Sequence, residues 1–221
     1  QFLLAPQIAL DPFAASADPF RDVLALARDS DGSASQAPTE NAYEGSVVGG
    51  IVSSGNTNIN ALIYGTKWTG TVTYDFPDTF ADYGAYSHTI GGFFQVSLQS
   101  RTAHRLILEG EAGISGLVTA GTIFKYGSYA SVMNLTLDDA GAFNAANLSI
   151  AGANTFDGSN LGTARVADFP RLDNRSDGGD VWFGNDYASY MTPLPGSYAW
   201  VTTIHELGHA LGLKHGHDPG Y

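Results

Sequence analysis

His205-Glu-Leu-Gly-His-Ala-Leu-Gly-Leu-Lys-His215 gathers three imidazoles and a carboxylate into one short stretch, at offsets that a helix and a turn convert into geometry. A helix over 200–211 puts His205 and His209 one turn apart on the same face, close enough for both rings to reach one metal ion. Glu206 points a step around that helix, away from the ligand pair and towards a water on the metal, which is the place of a general base. Gly212 can take the left-handed conformation that stops a helix and turns the chain back, so His215 returns as the third ligand. Three neutral nitrogens leave a fourth position of zinc open and lower the pKa of a bound water from about 15.7 towards about 7. Glu206 would take the water proton and pass it to a leaving amine, while the metal neutralises the developing oxyanion. Leu207, Ala210, Leu211 and Leu213 are the residues that seat the helix and turn on a core.

Composition narrows the classes. A chain of 221 residues, 43% hydrophobic, can bury one substantial core, so one domain with an N-terminal extension is expected. The absence of cysteine removes disulfides, thiolate metal sites and any cysteine-based latency, leaving histidine and carboxylate as ligands. A net charge of -12 with scattered Lys and Arg argues against a nucleic-acid partner and suits a soluble extracellular protein. No apolar run is long enough for a membrane span, and Gln1 to Leu10 lacks the charged start of a signal peptide.

The long form of the motif resembles that of the metzincin metallopeptidases. With the preceding Gly196-Ser-Tyr-Ala-Trp-Val-Thr-Thr-Ile204 it looks like the serralysin branch, and Gly65-Thr-Lys-Trp68, Val72-Thr-Tyr-Asp-Phe76 and Gly178-Gly-Asp-Val-Trp-Phe-Gly184 are similar to further segments of that family. The resemblance implies a secreted bacterial zinc endopeptidase with ligands His205, His209 and His215 and base Glu206. It also implies calcium in a following repeat domain and export through a C-terminal signal. Metzincins carry a methionine turn after the third histidine, and serralysins add a Tyr ligand there; Met133 and Met191 both precede the motif, Tyr221 is not assigned as a ligand, and Gly216 stands where Pro is common. The sequence is therefore expected to be a fragment, with the remainder of its own polypeptide as a partner; whether a methionine turn, a Tyr ligand and calcium repeats follow Tyr221 is not given by these residues. No repeat nonapeptide of the calcium type occurs within it.

Residues 1–57 read differently from 58–221. Asp18-Pro19 is a helix start and Phe20, Val23, Leu24 and Ala27 give a short helix to Asp29 an apolar face; the polar, small-residue run from Ser30 to Asn58 reads as a linker. This segment is either a propeptide covering a cleft, with a carboxylate such as Asp11, Asp18 or Asp22 at the metal, or a loosely docked extension. From residue 58 the order is a short helix or turn (58–68), a strand (71–76), a long helix (92–110), strands at 121–126, 131–137, 163–169 and 180–183, and the motif helix. The expected class is α+β, an α/β-like sandwich in which two long helices accompany a five-stranded sheet. By resemblance this is the metzincin N-terminal subdomain, a mixed twisted sheet with one antiparallel edge strand.

In that fold the edge strand borders the cleft, and Thr163-Ala164-Arg165-Val166-Ala167 is the candidate to pair with the backbone of an extended polypeptide substrate; the other reading is an ordinary capped edge. His217 and Asp218 are candidates for a supporting pair beside the metal. His88 and His104 are expected to be structural or exposed. The 173–180 stretch offers oxygens for calcium but also reads as a polar turn, and Trp182 and Trp200 as core aromatics. Two functions stand at this point: a zinc endopeptidase, or a catalytically silent, zinc-stabilised binding or adhesion module of the same fold. Glu206 favours the first, because a closed structural site has no use for it.

Overall fold

Runs such as Thr71–Asp75 and Val181–Phe183, rich in β-branched and aromatic residues, suit strands covered on both faces. The computed structural model describes residues 45–49, 54–110, 128–141, 146–162, 164–172, 177–185 and 188–218. In chain order these form β1 (Ser46–Gly49), α1 (Thr57–Asn60), β2 (Thr66–Thr69), β3 (Thr71–Asp75), β4 (Ile90–Gly91), α2 (Leu98–Leu108), α3 (Tyr129–Val132), β5 (Thr136–Asp139) and β6 (Leu148–Gly152). There follow β7 (Thr155–Phe156), β8 (Ser159–Asn160), β9 (Arg165–Ala167), β10 (Val181–Phe183) and α4 (Tyr198–Ala210).

The main sheet has the order β5-β3-β6-β10-β9. β3 runs parallel to β5 and β6, and β10 parallel to β6, whereas β9 lies antiparallel to β10 at the edge, with Val181 opposite Ala167 and Phe183 opposite Arg165. The mixed α+β class, the number of strands, the antiparallel edge strand at 165–167 and the two long helices, α2 and α4, agree with the sequence reading, although not all five strands are the ones expected. Side chains alternate across this sheet, as the strand period requires. Val72, Tyr74, Leu148, Ile150, Val181 and Phe183 face one core with Leu106, Ile107, Leu207 and Ala210 of the two long helices. Ala151 and Trp182 face the other, under Tyr83 and Leu161. There Trp182 stacks on Tyr83 at 4.8 Å between ring centroids and donates its Nε1–H to the Tyr86 hydroxyl at 2.8 Å. Both Trp182 and Trp200 are core aromatics, as expected.

Several elements depart from the sequence reading. α2 begins at Leu98, not at 92, because Phe94 exchanges two backbone hydrogen bonds of 2.9 Å with Gly152 and so lies extended along β6. β6 itself escaped the reading: its small residues look like a loop, yet a Cβ at Gly152 would meet the Phe94 ring at 2.1 Å. The expected strand at 131–137 is a helical turn, α3, closed by the Ser131 hydroxyl donating to Ser128 O, and only then β5. β1 falls in the expected linker and pairs antiparallel with β2, most of which falls in the stretch expected as a helix or turn. The expected helix at 18–29 and strand at 121–126 lie outside the described residues.

His104 is structural. It is fully buried on α2 against Phe76 and Phe183, and its Nδ1–H donates to Ser100 O at 2.7 Å. Burial pulls its pKa down to about 4, so the folded protein keeps a neutral ring where the unfolded chain, at the ordinary value near 6.5, takes up a proton. Stability therefore falls as pH drops from about 6.5 to about 4, by about 3 kcal/mol at full extent. Urea unfolding at pH 7 and pH 4.5 should show this loss in the wild type and a correspondingly smaller one in His104→Asn, the difference cancelling every other titrating group.

Candidate metal centre

α4 starts on a cap: the Ser197 hydroxyl accepts from Trp200 N–H, leaving the chain free to enter the helix two residues before Trp200. Its end is a double-bonded turn in which Gly212 N–H reaches His209 O at 2.9 Å and Leu213 N–H reaches Gly208 O at 2.8 Å. That pattern needs a left-handed residue, and Gly212 supplies it at φ 101°. A side chain here is excluded twice over, since a Cβ would also lie 2.9 Å from Thr66 O. Gly212→Ala is expected to cost about 1–3 kcal/mol and to weaken metal retention, read by urea unfolding and zinc titration; an unchanged midpoint with full zinc uptake would contradict it.

The returning chain is pinned from a distance. Tyr64 N–H donates to Gly212 O at 3.0 Å and Lys214 N–H to Leu62 O at 2.8 Å, a short antiparallel bridge. Trp68 Nε1–H, buried, donates to Ala210 O at 2.9 Å and satisfies a carbonyl of the last helical turn.

These constraints bring His205, His209 and His215 together. Their Nε2 atoms form a triangle with sides of 3.0, 3.0 and 3.2 Å. Three imidazole nitrogens held so close need a cation between their lone pairs, and nitrogens around a tetrahedral zinc at about 2.0–2.1 Å stand about 3.3 Å apart. The donor set thus fits zinc. The far nitrogens are occupied in the way metal ligands require: His209 Nδ1–H donates to Leu213 O at 2.6 Å, and His215 Nδ1 lies 3.2 Å from Asp218 Oδ2, which also accepts from His215 N–H at 3.1 Å. Partial desolvation holds His205 below the ordinary histidine range, favouring the neutral form that offers a lone pair. Phe169, stacked on Tyr64 at 3.8 Å, sets its ring edge against His209.

Glu206, on the same turn, is buried and turned towards β9, where Arg165 Nε–H donates to its Oε1 at 3.0 Å. Among the described residues no strand pairs with the outer edge of β9, so Arg165, Val166 and Ala167 occupy the edge position foreseen for them; Ala164 precedes them, and Thr163 lies outside the described residues.

Of the supporting pair, Asp218 holds His215, whereas His217, largely exposed, stacks on the His215 ring at 5.1 Å between centroids and lies 3.8 Å from Asp218 Oδ1. His88 lies 2.8 Å from Asp157 and 3.3 Å from the fully buried Asp177, a role in joining loops. Asp180, from the stretch with calcium-friendly oxygens, accepts from Ser149 N–H at 2.9 Å and ties its turn to the sheet. Tyr190 and Tyr198, whose hydroxyls accept from Arg165, were not singled out from the sequence. One signal was available, since Tyr198, Thr202 and Glu206 stand at i, i+4 and i+8 on one side of the helix.

No protein-family model matches the chain. A stretch of 51 residues, 20% of the chain, is 45% identical to serralysin of Proteus mirabilis and covers 10% of that protein's length. The match relates this stretch to a peptidase and leaves most of both chains unaligned.

Proposed function

We propose that the chain carries the catalytic zinc site of a secreted metalloendopeptidase of the metzincin type, close to the serralysins, that hydrolyses extended polypeptides. The observation that carries this reading is the convergence of three Nε2 atoms at 3.0–3.2 Å with a buried glutamate on the same helical turn. His205, His209 and His215 would hold the zinc, which supplies a lowered water pKa and polarisation of the scissile carbonyl. Glu206 takes the water proton during attack on that carbonyl and hands it to the departing amine. Asp218 and the Leu213 carbonyl keep two of the imidazoles oriented. β9 has, among the described residues, no strand on its outer edge, and there the 163–167 stretch would pair with a substrate backbone adding as a further strand, a mode that implies loose sequence preference.

The silent binding module accounts less well for the same residues, since a metal serving structure alone is closed by four ligands and has no need of Glu206. Residues 1–57 as a propeptide or extension belong to the proposal on their composition, and calcium repeats and an export signal beyond residue 221 through the serralysin resemblance. No described helix is long and apolar enough to cross a membrane. The deciding experiment is casein or gelatin hydrolysis by the complete polypeptide, with chelation abolishing activity and zinc restoring it. Hydrolysis unaffected by complete zinc removal rejects the reading.

A further inference from the structure

We propose that Arg165 is a positioning residue for Glu206: its guanidinium fixes the carboxylate of the base beside the three histidines, and Tyr190 and Tyr198 fix the guanidinium. The inference rests on the reading of Glu206 as the general base. Strand alternation sends Arg165 and Ala167 towards α4, and Val166 to the opposite face against the Trp182 cluster. Arg165 therefore reaches the helix from the strand that offers its edge to substrate. Its Nε–H donates to Glu206 Oε1 at 3.0 Å, Nη1 to the Tyr190 hydroxyl at 2.8 Å and Nη2 to the Tyr198 hydroxyl at 3.3 Å. The guanidinium carbon lies 5.9 Å from the centroid of each tyrosine ring, at the hydroxyl end of both.

The mode of contact matters. An arginine fork facing a carboxylate ordinarily takes both oxygens. Here Nη1 and Nη2 donate to the two tyrosine hydroxyls, and Nε donates to Glu206 Oε1. In this proposal Oε1 takes the anchoring hydrogen bond and the second carboxylate oxygen is the one that receives a proton from water. With the Arg165 side chain 26% exposed and that of Glu206 8% exposed, the pair is screened far less than a surface ion pair. A buried carboxylate without this anchor has other rotamers open to it, and a displacement of about 1 Å in a catalytic group can cost about 10²-fold in rate.

The test uses the complete, zinc-loaded polypeptide and steady-state hydrolysis of casein-derived peptides. Arg165→Ala is expected to lower kcat about 10- to 100-fold, with KM, zinc stoichiometry and Tm close to wild type; Arg165→Lys recovers part of the loss, and the Tyr190→Phe/Tyr198→Phe double variant loses about 10-fold. A second readout is independent of turnover: the Arg165 Nε–H resonance exchanges slowly with solvent in the wild type and rapidly in Glu206→Ala. Unchanged kcat in Arg165→Ala overturns the proposal. A rise in kcat also overturns it and makes the pair a latch, and a loss that tracks zinc content or Tm makes Arg165 a structural residue. Failure of the underlying reading looks different, because Glu206→Gln then hydrolyses as well as wild type.

Discussion

Replacing Glu206 by Gln is expected to lower kcat by at least about 10²–10⁴-fold while the protein still folds and still binds zinc. The amide has nearly the shape of the carboxylate, and its oxygen can accept the Arg165 Nε–H that Oε1 accepts at 3.0 Å. What it lacks is the capacity to take a proton from water and return it to the leaving amine. The side chain is not among the three nitrogens that converge, so zinc stoichiometry should remain at the wild-type value. Casein hydrolysis measured beside metal content separates these effects. Full activity in the variant sinks the mechanism, and lost zinc sinks the assignment of Glu206 as a base outside the ligand set.

Removing His209 attacks the other half of the centre. It is the most enclosed of the three imidazoles, at 9% exposure, and its Nδ1–H is committed to Leu213 O at 2.6 Å. His209→Ala leaves two nitrogens from different ends of the motif and an enclosed carbonyl without its donor. Loss of a supporting partner alone typically costs 10- to 100-fold in metal affinity, so loss of the ligand itself should exceed about 100-fold. Zinc present at about 100 times its dissociation constant stabilises a fold by about 2.7 kcal/mol, and this increment should vanish from the variant. Thermal unfolding with and without zinc, with metal content after dialysis, reads both. His217→Ala is the matched control, since His217 stands outside the triangle, and a wild-type zinc response in His209→Ala would remove it from the centre.

Spacing made the centre legible where the geometry is local. His205 and His209 share one helical face by the i, i+4 rule, and Gly212 announced the turn by being the residue that tolerates φ 101°. The five-stranded sheet with its antiparallel edge was legible from the strand and helix order together with family resemblance. Leu148–Gly152 was not, because its Gly152 makes room for the ring of Phe94, which arrives from more than fifty positions earlier in the chain. Arg165 illustrates the same limit at the site. As a residue in a strand it looked like part of a substrate ladder, and only the packing of β9 on α4 turns its side chain to Glu206.

The Trp68 indole and the Ala210 carbonyl that it caps are 142 residues apart in sequence, and the bridge at Leu62, Tyr64, Gly212 and Lys214 spans a similar interval. The third histidine is thus delivered by a chain closure of long range, whose entropic cost has to be met before any ion can draw on all three nitrogens. In this respect the centre is unlike those of small zinc domains, where the metal organises an otherwise unfolded peptide. Here the ligand set is complete only when the frame that places His215 is in position. Residues 62–68 precede the motif they secure by about 140 positions, so during synthesis they emerge first and the three nitrogens can converge only once the 205–215 stretch has docked on them.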